Sequence, residues 1–355
     1  MSDRPSISAV FPAYNDGGTI PSMVLRTLLT LRQISDDFEI IVTNDGSADY
    51  TGAVLDELAR ELPELRVIHH PQNKGYGHAL RSGFAAATKD FVFYTDGDAQ
   101  YDPGEMTLLV AEIQPDVDIV NGYKISRNDP WHRVIIGRIY HHLMRLLFGY
   151  PIRDVDCDFR LIRRHCFEAV ELESPDGTLP LEMVKKWSDK GFKFVEVPVH
   201  HFHRVYGQSQ FFNLPRLVKV VFEIIRLWWQ LEVKQAHLHG PETTGRTLVR
   251  YARRLVSEPR LLGRMLAVGA IAYLGVGFLF TFFQLGWCVL DPTVRSMLSN
   301  TDPALGLQRT VQIWFYGLFL WPDALVRLLS DPTTACHWLG PVLGGLGELK
   351  GAGIP

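Results

Sequence analysis

The sequence predicts an α/β fold, a mostly parallel β-sheet covered by helices on both faces. Short runs rich in Val, Ile and Phe alternate with helical patterns as far as about residue 200, the cadence of successive βαβ units. Polar and acidic residues collect where those runs end, at 14–17, 44–49 and 96–98. In open sheets of this class, ligands bind beyond the carboxyl ends of the strands. The rest of the chain has longer apolar runs and clusters of arginine, so a C-terminal helical membrane region is expected after the α/β domain.

The elements follow in order. Residues 7–11 read as a strand closed by Pro12, and 21–33 as a helix with proline near its start. A second strand is expected over 38–43, a second helix over 50–61 and a third strand over 65–69. A helix over 78–88 leads into a strand over 91–95; after Pro103 a helix runs to about 113, and 117–121 is a further strand. The apolar stripe of 131–148 marks a long helix, either buried in the domain or also touching lipid. Strands at 159–162 and 192–197 flank a helix over 181–190.

The 355 residues suffice for one large or two medium domains, and a net charge of −3 gives no basic excess for nucleic acid. Cys157, Cys166, Cys288 and Cys336 form no C-x-x-C pair, so reduced, unpaired thiols are expected. No signal-peptide pattern opens the chain, which places any membrane attachment elsewhere. The stretch 211–231 mixes Arg216, Lys219 and Arg226 with Phe222, Ile225, Trp228 and Trp229, a mixture suited to a bilayer interface or to packing on the preceding domain. Residues 265–290 are uncharged and long enough for one span. Arg246, Arg250, Arg253, Arg254, Arg260 and Arg264 precede them, which orients that end to the cytoplasm. A second segment, 311–329, is interrupted by Pro322, Asp323 and Arg327. The expected division is 1–210 catalytic, 211–262 amphipathic and juxtamembrane, and 263–355 membrane region with one or two spans.

Chemistry concentrates at Asp96-Gly97-Asp98-Ala99-Gln100, directly after the apolar run Phe91-Val92-Phe93. Two carboxylates joined by a turn at Gly97 can surround one hard cation, Mg²⁺ or Mn²⁺; D-x-D alone is common, and a solvated acidic loop is its alternative. Asp45 ends an apolar strand and could accept from a base N–H, with Pro12, Ala13, Tyr14 and Asn15 beside it. Asn73-Lys74-Gly75-Tyr76-Gly77-His78-Ala79 opens a helix, so its amides and Lys74 could face anionic groups.

Together these segments resemble the family 2 glycosyltransferases of the GT-A fold, and within that family the dolichyl- or polyprenyl-phosphate sugar synthases. Phe11-Pro12-Ala13-Tyr14-Asn15-Asp16 is similar to V-P-x-Y-N-E, with Asp16 for glutamate. Asn44-Asp45-Gly46-Ser47 is similar to D-D-G-S, and Asp96 to Gln100 to D-A-D-x-Q with Gly97 for alanine. Asn121 to Arg127 resembles G-x-R-x-x-R. Asp154 to Arg160 resembles D-x-x-x-G-F-R with Asp158 in the glycine position, and Arg204 to Ser209 resembles R-x-x-G-x-S. The resemblance covers about residues 5–212, and no Q-x-x-R-W motif of processive synthases is present.

The resemblance implies Asp96, Asp98 and Gln100 as ligands of Mg²⁺ or Mn²⁺. It implies a nucleotide-sugar site from Pro12, Ala13, Tyr14, Asn15, Asp16, Asp45, Lys74, Gly75, Asp96, Gly97, Asp98, Arg127 and Arg204. The implied reaction is inverting transfer of a hexose, from a GDP-mannose or UDP-glucose type of donor, to a polyprenyl or dolichyl phosphate at the cytoplasmic membrane face. Such an acceptor is already ionised and needs cationic orientation more than a base. Arg127, Arg133, Arg160, His203 and Arg204 are candidates for that task, each with a structural salt bridge as the alternative. Asp96, Asp98, Asp154 and Arg160 are the catalytic set, with Asp154 near the acceptor and Asp156 and Asp158 structural or orienting. A hydroxyl acceptor on a lipid or glycan, a degenerate scaffold or partner subunit, and a homo-oligomer are the remaining expectations.

Overall fold

The computed structural model describes residues 4–127, 131–204, 206, 214–240, 244–259, 261–266, 268–270 and 273. The chain divides into two compact units, Met1–Arg254 and Leu255–Pro355. In the first unit the strands are β1 (Ile7–Ala13), β2 (Phe38–Asn44), β3 (Leu65–His69), β4 (Phe91–Thr95), β5 (Ile119–Arg127), β6 (Phe159–Arg163) and β7 (Phe194–His201). The helices are α1 (Ile20–Ile34), α2 (Thr51–Glu61), α3 (Tyr76–Ala86), α4 (Met106–Ala111), α5 (Trp131–Phe148), α6 (His165–Glu168), α7 (Leu179–Asp189), α8 (Leu214–Trp228), α9 (Ala236–His239) and α10 (Thr244–Ser257).

The seven strands form one sheet in the order β3-β2-β1-β4-β6-β5-β7. β1 to β4 are mutually parallel, and β5 is parallel to β7. β6 runs antiparallel between β4 and β5. The expected mostly parallel sheet is therefore mixed, with one reversed strand near its middle. The order reverses between β1 and β4, and that reversal opens a crevice at the strand ends, where α/β folds bind ligands.

Period-two alternation explains the burial on both faces. Ile7, Ala9, Phe11, Phe91 and Phe93 face one core, with Met23, Leu28 and Leu31 of α1 and Met106 and Leu109 of α4. Val10, Ile41, Val92 and Tyr94 face the other, with Leu80 and Phe84 of α3 and Met183 and Trp187 of α7. A third cluster joins Met144 and Phe148 of α5, Leu181 and Val184 of α7, and Ile224 and Leu227 of α8. The C-terminal half of α5 is thus packed inside the domain, as is one face of α8, while Phe222, Ile225 and Trp229 stay exposed.

Several boundaries differ from the sequence expectation. α3 begins at Tyr76 because the loop before it turns at Gly75 (φ 104°), a region glycine enters without steric cost. β5 and β7 run on to Arg127 and His201 because they pair with each other past the expected ends. The helix after Pro103 is split into a 3₁₀ turn, Pro103–Glu105, and the short α4. The first compact unit, Met1–Arg254, takes in both the expected catalytic segment and most of the expected juxtamembrane one. Among the described residues no helix is long and apolar enough to cross a membrane. The expected spans, 265–290 and 311–329, lie almost wholly outside those residues.

Glu182, only 1% exposed, ties α7 to the loop ahead of it. It accepts from the Glu173 and Ser174 amides at 3.0 and 2.7 Å and pairs with Lys186 at 2.7 Å. Glu182→Ala would leave Lys186 and two amides without that partner, and should lower stability by about 3–5 kcal/mol. Urea unfolding of the full chain in detergent checks this; a midpoint equal to wild type would contradict the role.

Candidate active site

Two loops and one metal-type motif meet at the crevice. Ala13 and Pro12 are buried at the end of β1, where the chain turns through Asn15 in the left-handed region (φ 57°). The Asn15 side chain accepts from Ala48 N at 2.8 Å, and its own N–H donates to Ser47 Oγ at 3.0 Å. The 14–17 loop is thereby fastened to the 45–49 loop. Tyr14 projects outward, 41% exposed, which leaves its ring free to meet a flat ligand.

Asp45 is buried and holds a second loop. Its carboxylate accepts from Lys74 N at 3.0 Å and Gly75 N at 2.9 Å, and meets His70 Nδ1 at 2.6 Å. The sequence points to base recognition by this carboxylate, but its bonds in this arrangement go to the protein. Lys74, on the same loop, is exposed.

The acidic motif follows β4. Gly97 has no room for a side chain, since a Cβ there would come within 3.0 Å of Pro12 O and 2.9 Å of Ile20 Cδ1. Close approach of this turn to β1 therefore requires glycine. Asp98 accepts from Gln100 N at 3.0 Å and pairs with Arg204. Asp96 accepts from the Tyr76 hydroxyl at 2.8 Å. Gln100 donates its side-chain amide to Phe202 O at 3.2 Å, and Phe202 N donates to Gln100 O at 2.8 Å. This exchange pins the chain around Phe202 against the motif. Tyr206, a little further on, lies against Tyr50 with ring centroids 6.5 Å apart.

β6 contributes what the sequence does not make visible. Its antiparallel register pairs Tyr94 with Arg160 and Thr95 with Phe159, so the next residue pair brings Asp158 opposite Asp96. Tyr94 donates its hydroxyl to Asp158 at 3.2 Å and accepts from Arg160 Nη1. Arg160 is fully enclosed, and its other donors go to Asn121 Oδ1 and Val155 O. Arg160 therefore lies beneath the site, where it cannot grip an acceptor phosphate in this arrangement. The alternation Phe159-Arg160-Leu161 places it on a sheet face; only the β4 pairing shows that this face is closed.

The carboxylates carry more negative charge than the site's cations balance. Asp16, Asp96, Asp98 and Asp158 face two guanidiniums, Arg160 and Arg204, which leaves two negative charges when all four are ionised. Lys124, whose charge also reaches Asp158, is taken up by Asp154 and Asp156. Burial, followed by the charges of Asp158 and Asp98, holds Asp96 well above the usual carboxylate range. Burial also raises Asp98 against the opposing pull of Arg204, and pushes Asp16 up to about 6. Oxygen ligands with an excess of two negative charges fit a hard divalent cation. Asp96 and Asp98 would hold it, with the Gln100 side-chain carbonyl as a further donor.

Asp154, buried, accepts from Lys124 N at 3.3 Å and has Lys124 Nζ at 3.9 Å. Asp156 is pushed up to about 7, by burial first. The side chains of Arg127 and Arg133 lie outside the described residues. The expected set is thus brought together at Pro12, Ala13, Asp16, Gly97, Asp96, Asp98, Gln100 and Arg204. Asp45, Lys74 and Gly75 form an adjoining loop, and Arg160 sits below. Sequence reasoning offers Asp158 only as a structural or orienting residue and does not single out Tyr76 and Tyr94 as site residues. The departure of Asp158 from the glycine of the resembling motif is the available signal.

Residues 8–170 match the model of glycosyl transferase family 2. Two curated relatives are undecaprenyl-phosphate 4-deoxy-4-formamido-L-arabinose transferases. The one from Enterobacter sp. (strain 638) is 28% identical over 62% of this chain and 66% of its own length. The one from Sodalis glossinidius (strain morsitans) is 30% identical over the same shares, 62% and 66%. The chain thus aligns with just under two thirds of these relatives' length. Among solved structures, glucosyl-3-phosphoglycerate synthase from Mycobacterium tuberculosis matches with a TM-score of 0.50 and 19% identity, over 64% of this chain and 78% of that one. That likeness supports the fold, a mixed α/β sheet consistent with GT-A.

Asp45→Ala should free the Lys74 and Gly75 amides, speeding their hydrogen exchange at least about tenfold and lowering stability by about 2–3 kcal/mol. Unchanged protection of both amides would show that the loop is held by other contacts.

Proposed function

We propose that this chain, whose residues 8–170 are a family 2 glycosyltransferase domain, transfers a sugar from a nucleotide-diphosphate donor to a polyprenyl or dolichyl phosphate, with inversion at the anomeric carbon. The observation that carries this reading is the acidic cluster at the β1/β4 switch point, where Asp96 and Asp98 share a crevice with Asp16 and Arg204. The relatives' printed name, with undecaprenyl phosphate as the acceptor, supports a lipid phosphate over a neutral acceptor. A hexose of the GDP-mannose or UDP-glucose type remains the donor of this proposal.

The roles follow from position and charge. Ala13, Tyr14 and the 45–49 loop line the strand ends where a nucleoside would lie. The Lys74 and Gly75 loop, fixed by Asp45, would face its anionic end. When bound, Mg²⁺ or Mn²⁺ would neutralise charge building on the departing diphosphate. Arg204 is held by Asp98 at the mouth of the site, so its guanidinium is placed to meet phosphate oxygens, which it can grip as a fork. Asp154, kept beside Lys124, would lie near the acceptor. An ionised lipid phosphate attacks without surrendering a proton, so the site needs no strong general base.

The proposal includes a cytoplasm-facing catalytic domain and a C-terminal membrane region. Exposed Phe222, Ile225 and Trp229 on and after α8 and the uncharged stretch 265–290 support it. A hydroxyl acceptor on a lipid or glycan is the competing reading.

Membranes containing the chain, given UDP- and GDP-sugars with polyprenyl phosphate and Mg²⁺ or Mn²⁺, should form a sugar-linked polyprenyl phosphate. Asp98→Ala or chelation of the metal should reduce formation at least about a hundredfold, as expected when a main source of electrostatic stabilisation is removed. Transfer confined to a neutral lipid or glycan would contradict the acceptor assignment.

A further inference from the structure

The Asp158 carboxylate reaches the acidic crevice from neither the β1 loop nor the β4 motif. It is placed by β6. The β4–β6 ladder ends at Thr95 opposite Phe159, and one more step sets Asp158 across from Asp96. The Tyr76 hydroxyl donates to Asp96 at 2.8 Å. A phenol has one proton, so that donation leaves none for Asp158, which takes its hydrogen bond from another residue. Asp158 is supported from behind by the Tyr94 hydroxyl at 3.2 Å, which Arg160 in turn holds. Arg160 Nη1 itself stands 3.8 Å from Asp158.

We propose that Asp158 supports the cation site from behind: its carboxylate, held by the Tyr94 hydroxyl and beside Arg160, offsets that guanidinium so that the site keeps its attraction for a divalent ion. This rests on the reading of Asp96 and Asp98 as cation ligands. It deepens that reading by assigning a role to a residue outside the D-x-D motif. Without the Asp158 charge, the buried guanidinium of Arg160 would act on the site unopposed. The same chain of contacts gives Arg160 its function as the anchor of Tyr94, and it explains why a fully enclosed arginine stands directly below an acidic crevice.

The test separates charge from shape. Direct titration of the purified full chain with Mn²⁺ alone, read by loss of the free-ion electron paramagnetic resonance signal, gives affinity without turnover. Asp158→Asn keeps the size and removes the charge, and should weaken Mn²⁺ binding about tenfold. Asp158→Glu keeps the charge and should stay within about threefold of wild type. A purely structural role predicts the reverse, with Asn tolerated and Glu disruptive, and that pattern would overturn the proposal. Asp158→Ser gives a second route if Asp158→Asn does not fold: it also removes the charge and should weaken Mn²⁺ binding, and wild-type affinity in this variant would equally overturn the proposal. Wild-type protein that binds no Mn²⁺ would overturn the cation-site reading itself, whereas binding in wild type with no change in Asp158→Asn would overturn only the role of Asp158.

Discussion

Carboxylates held close together out of water repel one another, and the structure around the crevice is arranged about that constraint. Desolvation makes an isolated buried carboxylate costly, so each one is met by a specific partner. Asp98 has Arg204, Asp96 has Tyr76, Asp158 has Tyr94 and Arg160, and Asp16 has the Tyr14 amide. These partners come from separate parts of the chain and converge because β1 and β4 end together where the antiparallel β6 begins. The remaining negative charge suits the crevice to a hard divalent cation, the proposed partner of a donor diphosphate.

The loops that frame the crevice depend on one another in sequence. Asp45 fixes the Lys74–Gly75 turn, and the 173–176 loop packs against that turn so closely that a Cβ at Gly75 would meet Pro175 O at 2.9 Å. Glu182 then fixes the 173–174 amides from α7. A change on α7 can therefore reach the Lys74–Gly75 turn through Glu182 and the 173–176 loop. Such support is the usual means of holding a binding site to its geometry.

Much of this is legible in the sequence, where local pattern and function coincide. The alternating strands, the helices between them and the polar strand ends locate Asp45, Asp96 and Asp98 from pattern alone. What is not legible comes from non-local pairing. Nothing in the run 159–163 says that β6 enters antiparallel between β4 and β5, and this insertion puts Asp158 opposite Asp96 and closes Arg160 in. Arginine in a phosphate-handling family invites a phosphate contact; burial on the β4 side turns it into an internal support. Likewise the acid of Asp45 is readable as a ligand group, whereas its bonds to amides about thirty residues along depend on where the chain returns.

The central claim is that the β4 motif and its neighbours form one site for a divalent cation. Anomalous diffraction from crystals grown with Mn²⁺ and a nucleoside diphosphate tests it most directly. The account predicts one strong peak bounded by Asp96 and Asp98, at coordination distances of about 2.0–2.3 Å from carboxylate oxygen. No peak there, or a peak whose ligands exclude both aspartates, would contradict it.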